Sequence, residues 1–179
     1  YILPYLIGAF KKAHPNVHAN MLVYNTKSVE KLVMDGNVDM GFVEGKISSK
    51  ELLARPWFKD ELVVLTAPSD PLANNDYFDL ERDMQGSRWI MREKGSGTAA
   101  IFTEKLGEFA NGVNIVMEMG HPESVKRAVE SGVGIACLSA LTICREVENG
   151  WLKSMKIEDL DMKVGVDVSE KTGNFGVLL

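Results

Sequence analysis

Apolar residues repeat in two alternating ways along nearly the whole chain, first every second residue, then every third or fourth. Period two marks a half-buried strand and period 3.6 an amphipathic helix, so a chain that keeps switching between them is confined to α/β architectures. "PYLIGAFKKAHP" sets Leu6, Ala9, Phe10 and Ala13 at helical spacing and stops at Pro15. "VHANMLVY", residues 17–24, alternates as a strand. "NTKSVEKLVMDGN" opens on Asn25 and Thr26, carries Val29, Leu32 and Val33 on one helical face, and stops at Gly36. "VDMGFVEG" is strand-like again, and this β-α-β order predicts parallel neighbours joined by a right-handed crossover. "ELVVLTAPSDPLA" closes in a cluster of turn residues, a natural boundary. The alternation then restarts: "SRWIMRE", "NIVMEMG" and "VGIACLS" read as strands, each followed by a helical stretch. Two α/β units separated by a turn-rich hinge are expected.

Composition removes several classes of function. A length of 179 residues with 45% hydrophobic content suits one large domain or two small ones. The net charge of −5, with no basic block, argues against a nucleic-acid surface, because phosphate binding needs clustered Lys and Arg. The longest apolar runs, such as Leu62–Leu65, fall far below the ~18 residues of a membrane helix. The opening "YILPYLIGAF" has no basic region and no cleavage site, so no signal peptide is read and the cytoplasm is the expected compartment. Cys137 and Cys144 share the apolar run "GIACLSALTICREV" and are expected to be buried structural thiols. His14, His18 and His121 show no ligand spacing, and neither a metal nor a cofactor is expected.

The loop of "REKGSGTAAIFTEKL" lacks the G-x-G-x-x-G of a dinucleotide site and the Gly-Lys-Ser/Thr of a P-loop. Ser96 and Thr98 remain available as helix caps or as ligand hydroxyls. "NTKSVEK" opens a helix in the first unit as "GSGT" does in the second. Ligands of open α/β sheets collect at the carboxyl ends of strands. Two helix N-termini facing one cleft would hold a carboxylate or oxyanion, each end adding ~0.3 to 1 kcal/mol besides its amide hydrogen bonds. Arg92 beside Glu93 reads as a surface ion pair or as a bidentate carboxylate ligand. Glu44 in "FVEGK" would repel an anion if it faced the cleft, and otherwise points away or recognises an amine or hydroxyl. His121 in "GHPES" reads as a helix entry, and Trp57, Trp89 and Trp151 as packing residues. "SVEK" (Ser28, Lys31) and "KTG" (171–173) match two fragments of the serine acyl-transfer signature, but "SDP" at Ser69 fails as its middle element. No catalytic residue is assigned; acylation through Ser28 and Lys31 is a minor alternative.

Five segments together resemble the effector-binding domain of LysR-type transcriptional regulators: "ILPYLIGAFKKAHPNV", "NTKSVEKLVMDGNVDMGFVEG", "DELVVLTAPSDPLA", "REKGSGT" and "ESVKRAVESGVGIACLS". They follow the family's order and spacing from Tyr1 to about Lys163. The resemblance implies two Rossmann-like subdomains joined by crossing hinge strands, the type II periplasmic-binding-protein-like arrangement. Residues 1–66 with 160–179 would form one subdomain and 67–159 the other. It implies sensing without catalysis: a small polar effector, expected to be anionic, binds in the cleft between subdomains. Asn25 and Thr26 from one side and Ser96, Gly97 and Thr98 from the other would line the cleft, with Gly120 and His121 nearby. It further implies a homodimer or tetramer, with the helices around Leu6–Phe10 and Lys126–Val129 as contact candidates. DNA would be read only by a winged helix-turn-helix domain absent from this chain. A solute-binding protein of transport type is the alternative with a similar cleft.

The tail is where the resemblance departs. Members of the family carry a strand just before the "YILP" position. "VGVDVSEKTGN", Val164 to Asn174, would resemble that start if placed before Tyr1, and "LDMK" would then join "FGVLL" as a return strand. Val164–Val168 would in that case lie beside Met21–Val23, and Ser169, Lys171 and Thr172 beside Asn25 and Thr26. The Lys171 ammonium would then favour an anion. A permuted chain order and an atypical C-terminus are the two expectations.

Overall fold

In the computed structural model residues 1–171 are described. Its longest strand holds the most apolar stretch of the sequence. The strands are β1 (Gly41–Glu44), β2 (Leu52–Thr66), β3 (Tyr77–Phe78), β4 (Arg88–Arg92), β5 (Asn114–Met119), β6 (Ala136–Ser139), β7 (Lys153–Ile157) and β8 (Lys163–Lys171). The helices are α1 (Leu3–Ala13), α2 (Thr26–Met34), α3 (Leu80–Asp83), α4 (Gly97–Leu106), α5 (Pro122–Glu130) and α6 (Ala140–Glu148). The first ten residues of β2 pair antiparallel with β8, whose other edge carries β1. Leu62–Leu65 then pair with β6, and Val64–Thr66 with β7. β4 and β5 form a parallel pair, tied to the β6 end by the bridge between Trp89 and Ile135. β2 and β8 therefore run side by side from one lobe into the other.

Consecutive residues of a strand point to opposite faces, and here both faces are covered. Leu62 and Val64 enter a core with Phe78, Trp89, Phe102, Ile135 and Met155. Val63 and Leu65 enter a second, with Ile90, Val125, Val129, Leu138 and Ile143. Trp89 is fully buried, its ring 5.5 Å from Phe78 and 5.0 Å from Phe102.

Several sequence expectations are corrected. Residues 17–24 form no strand; Met21, Leu22, Val23 and Tyr24 stand exposed, because no described strand lies beside them to complete a ladder. The parallel crossover onto β1 is therefore missing, and β1 pairs antiparallel with β8. β8 does not lie beside Met21–Val23 but between β1 and β2. It continues directly from Met162, whose carbonyl accepts the Leu62 N–H at 2.9 Å, so the chain enters already aligned with β2. Asn174 and "FGVLL" lie outside the described residues. α1 buries none of its side chains in this single chain. Cys137 is buried as expected, but Cys144 is exposed, one position round α6 from the inward Ile143. Trp151 is substantially exposed, unlike Trp89, while Trp57, though partly exposed, packs edge-on against Phe42 with ring centres 4.9 Å apart.

Candidate functional site

The carboxyl ends of β1 and β4 point toward the beginnings of α2 and α4, and their side chains meet there. Asn25 caps α2, its Oδ1 accepting the Ser28 N–H at 3.0 Å. Its Nδ2 donates across to Glu93 Oε1 at 3.1 Å. Thr26 Oγ1 donates to the Glu44 carbonyl at 3.2 Å, and the Lys27 N–H to the Gly95 carbonyl at 3.2 Å. Gly95 has φ +100°, a backbone region that L side chains rarely adopt. Ser96 caps α4 by accepting the Ala99 N–H at 3.4 Å. Thr98 Oγ1 donates to Glu44 Oε2 at 2.7 Å. The helix starts of the two units thus face each other across one seam.

Charge in the seam is mixed. Arg92 binds Glu93 through Nε at 2.9 Å and Nη2 at 3.2 Å. The pair is not at the surface, since the side chains are only 10% and 20% exposed. Asp60, on β2, accepts the Ser139 hydroxyl at the end of β6 and its own neighbour's amide, the Glu61 N–H, at 2.7 Å. Burial pushes the Glu44 carboxyl above its ordinary value, and the negative charge of Asp60 adds to the rise; Thr98 and Arg92 oppose it. Burial, helped by the charge of Glu44, also pushes the Cys137 thiol far up, which leaves it protonated and unreactive.

The structure brings Asn25, Thr26, Ser96, Gly97 and Thr98 together. Gly120 and His121 sit at the β5–α5 turn, where His121 precedes α5 without capping it through its side chain. That turn follows Met119, whose carbonyl accepts the Glu93 N–H at 3.2 Å. Ser169 is apart from the seam: fully buried, it donates to the Gly41 carbonyl at the opposite end of β1 from Glu44. Lys171 binds the Met34 carbonyl at 3.1 Å, the far end of α2 from Asn25 and Thr26. Thr172 lies outside the described residues, as does the rest of "KTG". Sequence reasoning missed Asp60, Ser139 and the Glu93 contact with Asn25. Ser139, at a strand-to-helix junction like that of Ser96, carried a local signal; Asp60 carried none. Surface cavities among the described residues lie elsewhere. One of about 410 Å³ is bounded by Glu61, Tyr77 and Lys156, and one of about 570 Å³ lies along β5 and α5. Among the described residues no helix is long and apolar enough to cross a membrane.

Two α/β lobes joined by paired crossing strands, with polar helix starts converging between them, define the type II periplasmic-binding-protein-like class. The chain belongs to the LysR substrate binding domain family, which matches residues 1–168. It is 38% identical over 157 residues to the HTH-type transcriptional regulator YeiE of Escherichia coli K12, covering 88% of this chain and 53% of that protein. It is 27% identical over 163 residues to the HTH-type transcriptional regulator CysL of Bacillus subtilis 168, covering 91% and 54%. The chain spans about half the length of the curated relatives it matches. The regulatory domain of Synechocystis PCC6803 CcmR, solved in complex with 2-PG, superposes with a TM-score of 0.90 at 25% identity, covering 99% of this chain and 85% of that one. The effector binding domain of QuiR, solved with shikimate, shares the fold with a TM-score of 0.86 at 18% identity, covering 98% and 83%. These curated relatives are transcription regulators, not enzymes or transport proteins.

Proposed function

We propose that this chain is the ligand-sensing part of a transcription regulator, and that a small polar anion bound between its lobes biases how an attached DNA-binding domain sits on its operator. The observation that carries the proposal is the convergence of the α2 and α4 N-termini, with Asn25 and Thr26 facing Ser96, Gly97 and Thr98. The Lys27, Ser28 and Ala99 amides are already taken by Gly95, Asn25 and Ser96, and the Thr26, Gly97 and Thr98 amides at the two helix starts are those suited to an oxyanion or carboxylate. The likeness to the CcmR domain, solved with 2-PG, supports a small-molecule effector. One subdomain is assigned residues 1–66 and the chain returning from 160, the other 67–159, with β2 and β8 as the crossing strands; Leu62–Thr66, the end of β2, already pair and pack within the second lobe, so the crossover falls ahead of Leu62. Gly120 and His121 complete the rim from the β5–α5 turn.

No bond is made or broken. A ligand moves such an equilibrium only by its difference in affinity for the two states, and a full swing takes about 5.5 kcal/mol. The regulator works in the cytoplasm as a homodimer or tetramer, in which the exposed α1 face pairs head to tail with the outer face of α5 of a second copy, at Arg127 and Glu130, since Lys126, Ala128 and Val129 are buried within the chain. DNA is contacted only by a domain outside this chain.

The test is a thermal-shift screen of small anions, since a ligand of the folded state raises stability by mass action, repeated on Thr98→Val. The variant keeps the side-chain volume and deletes the hydroxyl. A loss of anion affinity above about 0.5 kcal/mol is expected. An unchanged affinity leaves Thr98 with its hydrogen bond to Glu44 and no part in the anion site. A single-chain species at high concentration in analytical ultracentrifugation would overturn the assembly.

A further inference from the structure

Glu44 stands where an anion would meet the start of α4. Its Oε2 accepts the Thr98 hydroxyl at 2.7 Å, while its own carbonyl accepts Thr26 Oγ1 at 3.2 Å, so this one residue touches both helix starts. Oε1 has no hydrogen-bond partner among the described residues. Among the described residues no cation binds the carboxyl directly: the nearby Arg92 is engaged by Glu93, and Asp60 adds negative charge.

An ionised carboxylate is an acceptor only. Toward an anion that offers nothing but lone pairs it sets acceptor against acceptor and charge against like charge. Toward an anion bearing an O–H it forms a charge-assisted hydrogen bond, and sites of this kind discriminate strongly because the wrong ligand leaves a polar group unpaired. We infer that Glu44 is the specificity-determining residue of the cleft, selecting anions that carry a hydrogen-bond donor over anions that present acceptors alone. The shared chemistry is an oxyanion with one proton or a carboxylate with a neighbouring hydroxyl. This rests on the effector cleft proposed above. Rejection is built into the site by a repulsive group as much as selection is by an attractive one.

The experiment titrates the whole chain with inorganic sulfate and with hydrogenphosphate at mildly alkaline pH, following the backbone amides of residues 26–28 and 96–99 by NMR. The two ions match in charge and nearly in size, and only the second carries a proton. Glycolate against acetate repeats the contrast for hydroxy acids, and shows whether the donor is taken from the oxyanion itself or from an adjacent carbon. The wild-type chain is expected to bind the donor-bearing member of at least one pair about ten-fold tighter or more. Glu44→Gln, whose amide can also donate, is expected to bring the two within about two-fold.

Equal affinities in the wild type overturn the inference and leave the anion cleft standing; this is also the result if burial holds Glu44 protonated, because a protonated carboxyl would itself donate to sulfate. A preference that survives in Glu44→Gln assigns selection to another residue and overturns it equally. If no anion moves those amides, the cleft is not an anion site and both proposals fall. The wild-type comparison needs no variant to fold.

Discussion

Gly97 lies so close to Glu44 that a Cβ added to it would come within 2.2 Å of the Glu44 carbonyl oxygen and 2.5 Å of the Thr26 hydroxyl. The first of these atoms is backbone and cannot swing aside. The contact is between lobes, so the glycine permits the seam to close. Gly97→Ala is expected to cost about 1–3 kcal/mol of stability in urea denaturation, and to weaken anion binding at the seam. Gly86, whose Cβ would meet nothing within 4 Å, is the control. Equal effects of the two substitutions would dispose of the close-contact explanation.

Stability should depend on pH through Glu44. Its folded-state value lies above the ordinary 4.5, chiefly through burial, so the folded chain holds a proton that the unfolded chain has lost. The stabilising contribution is complete below the ordinary value and disappears as pH rises through the raised one. Thermal melts of the wild type and Glu44→Gln across mildly acidic to neutral pH should converge least at the neutral end, where the variant is favoured. Parallel curves would show that Glu44 does not titrate in this window.

Lys126, only 3% exposed, ties α5 to α6. Its ammonium lies 2.7 Å from both Glu123 and Glu146, 3.0 Å from the Thr142 carbonyl and 5.0 Å from the centre of the Tyr1 ring. Burial alone would lower its pKa, but hydrogen bonds to the two carboxylates and Tyr1 outweigh it and push the value up to about 12. The stability it contributes is therefore present below the ordinary 10.5 and lost as pH rises through about 12. Lys126→Met should destabilise by ~3 kcal/mol, because it strands the largely buried Glu146 carboxylate. Chemical denaturation at neutral pH measures it, and a change below 1 kcal/mol, the range of exposed pairs, would contradict the burial.

A thiol reagent should distinguish the two cysteines. Cys144 is exposed, whereas Cys137 is buried with its thiol pushed far up. One equivalent is expected to react promptly under native conditions and the second only on unfolding. Loss of the fast phase in Cys144→Ser completes the assignment; persistence of that phase refutes it.

Lys171→Met should leave anion affinity unchanged within about two-fold and lower stability by ~0.3–1 kcal/mol, the worth of a cation at a helix C-terminus. The reason is its bond to the Met34 carbonyl at the end of α2. A ten-fold loss of affinity would return the residue to the cleft, where the order of the family's segments had put it.

Some of the site was legible before folding. Asn25 and Ser96 are small polar residues set just ahead of periodic apolar runs, and each does cap the helix it announces. Residues 17–24 show the limit of the same reasoning. Their alternation is that of a strand, but a strand exists only when a neighbour supplies hydrogen bonds. Arg92 and Glu93 pair as adjacent opposite charges commonly do, though their burial was not to be read from adjacency.

The sequence by itself determined the longer helices, though not the single turn of α3, where most strands run, and that two α/β units follow one another, because periodicity and capping are local properties of a few consecutive residues. Only the tertiary structure decided who faces whom. Thr98 and Glu44 are 54 positions apart, Ser139 and Asp60 are 79, and Gly41 and Ser169 are 128. No local pattern records such pairs, since they arise from the pairing of distant strands and from the packing of one lobe against the other. The same folding took Lys171 to the C-terminal end of α2 and turned Glu44, an ordinary acidic residue at the end of a strand, into the carboxylate that an incoming anion would have to meet.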